Sequence, residues 1–438
     1  MPKKLPNIIL IVLDTARAKN FSCYGYDRKT TPNIDRIAEE STLYKWCFAP
    51  ANWTIPSHAS LFTGLYPTQH GCFGRELILS SDITTLAEIL KFRGYDTIGI
   101  SSNGLVASVN GFARGFNLFF DIWRKNVFTS DWLRHFPSVN RQDSEKSVVG
   151  WFMQRVIELV SPSVIDNATP FTTKALSLAR KIINEKKSSH PVFLFINIMQ
   201  NHDFYNPPPI SKGRFGSNGF SHKSLIGDSD FIHLKNFLPA IPLERLFSIL
   251  TSLYDEELFF ADMAIGSFYK YLKDESILDN TLFIITSDHG EMLGEDGLLG
   301  HGFGLHNDLL RIPLIVRFPG QQKGEVVDDM VQLQDIFSTV NDITESYHPN
   351  PGSSYSLVGS KRRRWVMGQN LDPFLHVNGI KKLDPTWECR EWWCRPAIIV
   401  FKEGLKNALI TDSEKIEYLT SCSDINLAIS ELLVKERD

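Results

Sequence analysis

Carboxylate, imidazole and amide side chains follow several short apolar runs of the sequence, at the point where each run ends. Asp14 follows the first run, Asn103 the second and His202 the third. Asp288 and His289 follow the fourth. Two carboxylates and an imidazole suit a divalent cation such as Mn²⁺, Zn²⁺ or Ca²⁺. We therefore predict an open metal site, provided that these run ends meet in the fold.

The segment 52–64 supplies a hydroxyl group for such a site. Thr54 stands two residues before Pro56, and a proline near the first helical position commonly marks the start of a helix. The hydroxyl would then lie at a helix N-terminus, where free N–H groups and the helix dipole favour an oxyanion. A cation would lower the pKa of this hydroxyl and orient it for attack. From this segment alone, a nucleophile and a simple helix cap are equally supported.

The elements that must position these residues alternate along the chain. Apolar runs with strand composition lie at Asn7–Leu13, Asp96–Ser101, Pro191–Ile198, Thr281–Thr286 and Pro313–Phe318. Helical patterns lie at Pro32–Ser41, Ser57–Thr63, Ile83–Arg93, Thr172–Lys187 and Leu253–Lys273. Continuous apolarity is typical of strands covered on both faces, so we predict a doubly wound α/β fold with a mostly parallel sheet flanked by helices. Ligand sites in such sheets lie at the carboxyl ends of strands, where the candidate residues fall.

We predict one large domain, residues 1–345, and a small C-terminal α+β subdomain, residues 346–438. An aromatic-rich stretch interrupts the alternation of strand and helix patterns in the large domain. We interpret residues 105–190 as an insertion that caps the site. Two strand patterns, Ala397–Lys402 and Asn407–Thr411, predict a small antiparallel sheet in the subdomain. The end of the chain, Ile425–Glu436, has a helical pattern.

Composition excludes several classes of protein. The chain has 438 residues, of which 43 % are hydrophobic and 22 % charged, and its formal net charge is −4. This balance is that of a packed soluble domain and does not predict a nucleic-acid partner. No apolar stretch reaches the ~18 residues of a membrane span, and the N-terminal run is too short for a signal peptide, so we expect a cytoplasmic protein. The six cysteines are too few for a disulfide framework.

Several motifs occur in a characteristic order. They are residues 7–14 (NIILIVLD), 31–38 (TPNIDRIA), 64–71 (GLYPTQHG), 279–291 (DNTLFIITSDHGE), 300–302 (GHG) and 311–320 (RIPLIVRFPG). In order and spacing they resemble the sulfatase family of the alkaline phosphatase superfamily. The resemblance implies a metal-dependent ester hydrolase with one divalent ion, for which it suggests Ca²⁺, with Mn²⁺, Mg²⁺ and Zn²⁺ as alternatives. By position it makes Asp14, Asp288 and His289 metal ligands, and Thr54 a metal-bound nucleophile.

The resemblance also implies which residues face the substrate. His202 matches a substrate-contacting histidine, His301 lies near a basic residue beside the charged group or leaving oxygen, and Arg17 matches an arginine beside the metal. Asn103 is a further candidate for substrate binding. We expect the helix N-terminus, His58 and Arg17 to stabilise developing charge. His301 or His202 would then protonate the leaving oxygen.

Two positions depart from the family's signature. Sulfatases carry Cys or Ser where Thr54 stands and Arg where His58 stands, which allows an enzyme to oxidise the first residue to formylglycine. Threonine is not a known substrate of that oxidation, so we do not expect formylglycine here. A threonine nucleophile instead resembles phosphodiesterases and lipoteichoic-acid-type phosphoglycerol transferases of the superfamily. The family resemblance thus favours sulfate esters, and the nucleophile favours phosphate or phosphonate esters.

The predicted partner is a small-molecule, glycan or lipid substrate that carries an anionic ester. One alternative is a transferase, in which a sugar or lipid hydroxyl replaces water as acceptor of the phospho group. Another is a non-catalytic homologue that binds anionic glycans, although the metal ligands and the hydroxyl at position 54 argue against it. A second metal ion is less expected, because the acidic residues of 254–262 have no accompanying histidine.

Overall fold

The computed structural model describes residues 4–74, 76–123, 170–185, 190–217, 220, 243–346, 348–373, 377, 395–402 and 408–411. Three predicted features therefore lie wholly or partly outside the described residues. They are the central part of the predicted insertion, residues 124–169, the end of the helix predicted to reach Lys187, and the C-terminal helical pattern Ile425–Glu436.

Fourteen strands occur in these ranges. They are β1 Asn7–Leu13, β2 Thr42–Phe48, β3 Asp96–Ser101, β4 Leu118–Asp121, β5 Val192–Ile198, β6 Thr281–Thr286, β7 Met292–Leu293, β8 Leu299–Gly300, β9 Arg311–Ile312, β10 Leu314–Arg317, β11 Glu325–Gln332, β12 Trp365–Asn370, β13 Ala397–Lys402 and β14 Ala408–Ile410. Of the five strands predicted for the large domain, three are confirmed residue for residue. The other two, β5 and β10, each begin one residue late, after a proline that has no N–H to donate, and β10 also ends one residue early, at Arg317.

The main sheet has the strand order β11–β2–β10–β6–β1–β5–β3–β4, and β9 pairs with β2. Strands β6, β1, β5, β3 and β4 run parallel, whereas β10 is antiparallel to both β6 and β2. The predicted mostly parallel sheet is therefore confirmed. Because β1 and β6 are parallel neighbours, the residues that follow them emerge side by side at one edge.

Within the described ranges, eight α-helices flank the sheet. They are α1 Pro32–Ala38, α2 Thr54–Thr63, α3 Pro67–His70, α4 Leu86–Phe92, α5 Phe171–Glu185, α6 Leu243–Asp274, α7 Asn307–Leu310 and α8 Asp335–Ile343. Alternate residues of β1 enter two separate apolar cores. Ile8 and Leu10 pack with α2, α4 and α8, whereas Ile9 and Ile11 pack with α1, α5 and α6. Both faces of the sheet are thus covered, which confirms the doubly wound architecture. None of the described helices has an apolar stretch long enough to cross a membrane.

The structure corrects the predicted start of the insertion at residue 105. Strand β4, Leu118–Asp121, pairs with β3 and completes the main sheet. Phe112, Phe116 and Phe119 are buried in the core, so this part of the aromatic segment supports the sheet and does not cap a site. The alternation of strand and helix patterns missed β4 because this strand has only four residues, and because a 3-10 turn instead of an α-helix separates it from β3.

After residue 345, a small antiparallel sheet has the order β12–β13–β14. Its second and third strands confirm the predicted hairpin, whereas β12, Trp365–Asn370, was not predicted. This sheet joins the large domain through a bridge between Ala51 and Gln369. The bridge lies directly before α2, the helix that carries Thr54.

Candidate metal and ester site

The ends of the neighbouring strands β1 and β6 bring three predicted metal ligands together. Asp14 directly follows β1, and Asp288 and His289 follow β6 after one intervening serine. All three are fully buried, and one ligand atom from each lies within 4.8 Å of the others. Two strand ends distant in sequence therefore form one compact group.

Each carboxylate of this group has one oxygen held and one oxygen unpaired. Asp14 Oδ2 accepts a hydrogen bond of 2.6 Å from the side-chain amide of Asn103. Asp288 Oδ1 accepts from the backbone N–H of His289 at 2.9 Å and of Thr15 at 3.3 Å. The other oxygens, Asp14 Oδ1 and Asp288 Oδ2, are buried and have no hydrogen-bond partner among the described residues. Buried unpaired carboxylate oxygens are costly unless a cation binds them.

His289 directs a lone pair toward the same two oxygens. Its Nδ1 lies 2.9 Å from the Gly290 carbonyl, which can only accept, so Nδ1 carries the proton. Its Nε2 lies 3.7 Å from Asp14 Oδ1 and 3.4 Å from Asp288 Oδ2. Burial is the main cause that lowers the pKa of His289, which favours the neutral ring. Three electron-rich atoms thus converge with no proton between them, and this donor set fits a divalent cation.

Thr54 is the first residue of α2, and Trp53, in an extended conformation, takes the cap position. Thr54 is nearly fully buried, and its Oγ1 lies 3.3 Å from His289 Nε2. The hydroxyl therefore faces the ligand group from a helix N-terminus, as predicted. A helix cap as its only role is not supported, because the cap is the preceding residue.

His58 lies one turn further along α2, behind Thr54. Its Nδ1 donates to the Thr54 carbonyl at 3.0 Å and is 3.3 Å from Asp288 Oδ2, while Nε2 is 3.4 Å from the amide of Asn197. The ring is fully buried against Phe112 and Phe195. Burial lowers its pKa, but the Asp288 carboxylate outweighs this and raises it. The predicted contact of His58 with the ester is therefore not supported, since the ring packs between α2 and the sheet.

Two further histidines line the same edge, on loops. Nδ1 of His202 is 2.6 Å from Asp203 Oδ1, and Nδ1 of His301 is 2.9 Å from Glu291 Oε1. The ring centroid of His301 lies 4.6 Å from that of His289 and 4.9 Å from that of His202. Burial lowers the pKa of both loop histidines, but their carboxylate partners raise it above the ordinary value. The metal ligand and the two predicted substrate histidines thus form a continuous row.

Two sequence-based assignments need correction. The guanidinium of Arg17 binds Glu295 at 2.5 Å and Asp308 at 2.6 Å, so its charge is already neutralised and an anion contact is not supported. Its carboxylate partners lie far along the chain, which is why sequence inspection missed them. Asn103 donates its amide to Asp14 and accepts from Leu105 N, so it orients a ligand. Both polar atoms of its side chain are thus engaged within the protein, so the predicted contact of Asn103 with substrate is not supported.

Sequence inspection also assigned no role to Glu291 or Asp203. Both belong to quoted or inspected segments, and both bind a candidate histidine in the structure. The available signal was a glutamate directly after Asp288–His289–Gly290, in a segment without helical pattern. Thr15, which stands next to Asp14, turns its hydroxyl to two backbone carbonyls and does not face the ligand group.

Comparisons of the sequence with known proteins identify a family. Residues 6–346 match the sequence profile of the sulfatase family. The chain is 25 % identical over 389 residues to the sulfatase YidJ of Escherichia coli, covering 83 % of this chain and 73 % of the relative. It is 24 % identical over 388 residues to an arylsulfatase of Clostridium perfringens, covering 80 % and 77 %.

Solved structures share the fold over almost the whole chain. A phosphonate monoester hydrolase of Agrobacterium radiobacter superimposes with a TM-score of 0.63 at 19 % identity, covering 99 % of this chain and 94 % of the other. A protein in complex with its substrate D-glucosamine-2-N,6-O-disulfate has a TM-score of 0.62 at 18 % identity, with coverages of 93 % and 91 %. The same fold therefore occurs in proteins that act on sulfate esters and on phosphonate esters.

Proposed function

The chain belongs to the sulfatase family and is an ester hydrolase, and on this premise we propose that unmodified Thr54 is its nucleophile toward sulfate or phosphate esters. The observation that carries the proposal is the place of Oγ1. It lies at the first residue of a ten-residue helix, 3.3 Å from His289 Nε2 and beside two unpaired carboxylate oxygens. Backbone N–H groups at that helix start favour the negative charge that develops on a transferring group.

Asp14, Asp288 and His289 would hold one divalent cation, with the Thr54 hydroxyl beside it. Such an ion, when bound, lowers the pKa of a hydroxyl group and offsets the charge of an anionic ester. The described residues supply the remaining functions. Asn103 fixes one oxygen of Asp14, and His58 fixes the carbonyl of Thr54, so the ligand and the nucleophile keep their relative positions.

His301 and His202 are placed to serve the leaving group. Each donates or shares its Nδ1 proton with a carboxylate, so Nε2 is the nitrogen left for a substrate oxygen. The Thr54 hydroxyl gives its proton to solvent, Oγ1 forms the new bond to phosphorus or sulfur, the bond to the leaving oxygen breaks, and that oxygen takes the Nε2 proton. Because threonine has a single hydroxyl, water must then attack phosphorus or sulfur, and it gives one proton to the same Nε2. The bond to Oγ1 breaks, Oγ1 takes up a proton from solvent, and the free enzyme is restored. We expect this route to favour phosphate and phosphonate esters over sulfate esters.

The test is a parallel assay of one aryl sulfate, one phosphate monoester, one phosphodiester and one phosphonate monoester, with T54A, T54S and T63A variants. Thr63 lies on the same helix and bonds only backbone groups, so T63A is a matched control for loss of a buried threonine. We expect T54A to lose at least about 10³-fold in kcat, T54S to keep measurable activity, and T63A to stay within a few-fold. Mass spectrometry of the quenched wild-type enzyme should find the adduct on Thr54. Full activity of T54A on the best substrate would refute the proposal.

A further inference from the structure

We propose that Glu291 is a positioning residue that aims His301 at the leaving oxygen of the ester. This inference rests on the proposed function, since it gives His301 the role of proton donor. It assigns to Glu291 a task that the sequence motif alone does not reveal. The carboxylate acts through the imidazole and does not itself touch the substrate.

The backbone fixes the position of Glu291 tightly. Gly290 N donates to the Leu309 carbonyl at 2.6 Å, and Glu291 N donates to the Asp308 carbonyl at 3.2 Å. A Cβ atom at position 290 would lie 1.9 Å from the Asp308 carbonyl oxygen, so only glycine permits this approach. The segment that carries Glu291 is therefore held against α7, directly before β9, and its side chain enters the site from a fixed point.

Among the described residues, the side chain of Glu291 makes one hydrogen bond, and its partner is a histidine. Oε1 accepts from Nδ1 of His301 at 2.9 Å, and the carboxylate is fully buried. The bond sets the ring so that Nε2 is the nitrogen turned away from Glu291. A carboxylate that holds one imidazole nitrogen fixes the orientation of the ring, so that the other nitrogen can transfer a proton.

A comparison with another buried glutamate separates this role from a structural one. Glu256 of α6 accepts from two backbone N–H groups and a hydroxyl, from Phe215 and Ser217, and so anchors a loop. Glu291 anchors no backbone group, and its Oε2 has no hydrogen-bond partner among the described residues. Burial of a carboxylate that makes a single hydrogen bond costs free energy. A role of the bonded imidazole in proton transfer accounts for this cost.

The neighbouring histidine rings define where the His301 imidazole would meet the leaving oxygen. His301 lies between His289, a proposed metal ligand, and His202, with centroid distances of 4.6 and 4.9 Å. Its side chain is 17 % exposed, whereas Glu291 is buried. The substrate oxygen that departs from phosphorus or sulfur must therefore pass the exposed side of the His301 ring.

The experiment compares E291Q with E256Q on two esters of the substrate class that the assay panel identifies. One ester has a 4-nitrophenyl leaving group, which departs without a proton, and the other has an alkyl leaving group, which needs one. We expect E291Q to lose about 10- to 100-fold in kcat on the alkyl ester and only a few-fold on the nitrophenyl ester. E256Q, which replaces a loop anchor by an amide of equal size, should affect both esters equally. If E291Q does not fold, E291D serves, because the shorter carboxylate cannot keep the bond to Nδ1.

Three outcomes decide the matter. A selective loss on the alkyl ester that disappears in an H301Q background supports the proposal. Equal losses on both esters, or no loss on either, overturn it. A failure of the nucleophile proposal is recognised separately, because it would leave T54A active whatever E291Q does.

Discussion

The two halves of the site are built in different ways. The metal half, Asp14, Thr54, Asp288 and His289, is at most 1 % exposed and stands at strand ends and a helix start. The histidine half, His202 and His301, stands on loops and is 20 % and 17 % exposed. A rigid sheet edge positions the ligands directly, whereas the loop histidines depend on a neighbouring carboxylate, Asp203 or Glu291, for their orientation.

The halves also differ in how their charges are balanced. In the metal half, two carboxylate oxygens lack a hydrogen-bond partner among the described residues, and the unprotonated Nε2 of the neutral His289 ring points at them. In the histidine half, each imidazole has its own carboxylate, Asp203 or Glu291. The metal half should therefore depend on an added cation, and the histidine half should not.

The strongest test of this difference is Asp288→Asn. Loss of one ligand should reduce kcat by at least about 10³-fold, because the cation and the nucleophile are positioned together. In the metal-free protein, however, the variant should be as stable as wild type or more stable, since one of two facing negative charges is removed. Steady-state kinetics measure the first effect, and thermal unfolding after treatment with EDTA, then with Ca²⁺, Mn²⁺, Mg²⁺ or Zn²⁺, measures the second. A wild-type unfolding temperature unchanged by all four ions would contradict the charge argument.

The next test asks which half Arg17 supports. It follows β1 closely, yet its guanidinium binds Glu295, between β7 and β8, and Asp308, beside the backbone that fixes Glu291. We expect Arg17→Met to lower the free energy of unfolding by about 1–3 kcal/mol, because among the described residues it leaves two half-buried carboxylates with Lys19 as their remaining ion-pair partner. The control Lys19→Met, whose side chain is 55 % exposed, should cost less than about 1 kcal/mol. Chemical denaturation measures these differences.

The activity of the same variant tests the structural role of Arg17. Because Arg17 holds the hairpin that precedes His301, kcat should fall while the affinity for metal stays unchanged. A rise in KM with unaffected stability would contradict this role. Steady-state kinetics on the best substrate of the panel distinguish these patterns.

The sequence predicted the metal half far better than the histidine half. Asp14 and Asp288 follow runs so apolar that their strands could be placed to the residue, and parallel strands bring their ends together. Helix α2 was predicted to begin at Ser57, but its signal, Pro56, still located Thr54 near the helix start. The carboxylates behind Arg17, His202 and His301 depend on loop conformation, for which periodicity carries no information. Strand β12 escaped prediction for a related reason, because its partner strands lie far along the chain.

The last prediction concerns the pH dependence of stability at Glu257, a residue that holds the loop carrying His202. Its carboxylate accepts from the side chain of Gln200 at 2.5 Å and from Asn206 N at 2.6 Å, the two ends of the loop that carries His202. Burial raises the pKa of Glu257 to about 8, although both donors act to lower it. The folded protein therefore prefers the protonated form more than the unfolded chain does, whose glutamate titrates near 4.3. The stability that this group contributes is fully present below that value and is lost as pH rises through about 8.

Glu257→Gln should remove this dependence, because glutamine is neutral at every pH. Below the unfolded pKa the variant is expected to be about 1 kcal/mol less stable than wild type, since one of its amide donors faces another donor. The difference should shrink by at most about 1.4 kcal/mol per pH unit as pH rises, so that the two stability curves converge or cross by the upper end of the window. Gln200→Met, which removes a donor and keeps the carboxylate, should extend the wild-type decline to higher pH. Urea unfolding at pH 5, 7 and 9 measures the curves, and parallel curves for wild type and Glu257→Gln would show that the loop of His202 is not held by a titrating group.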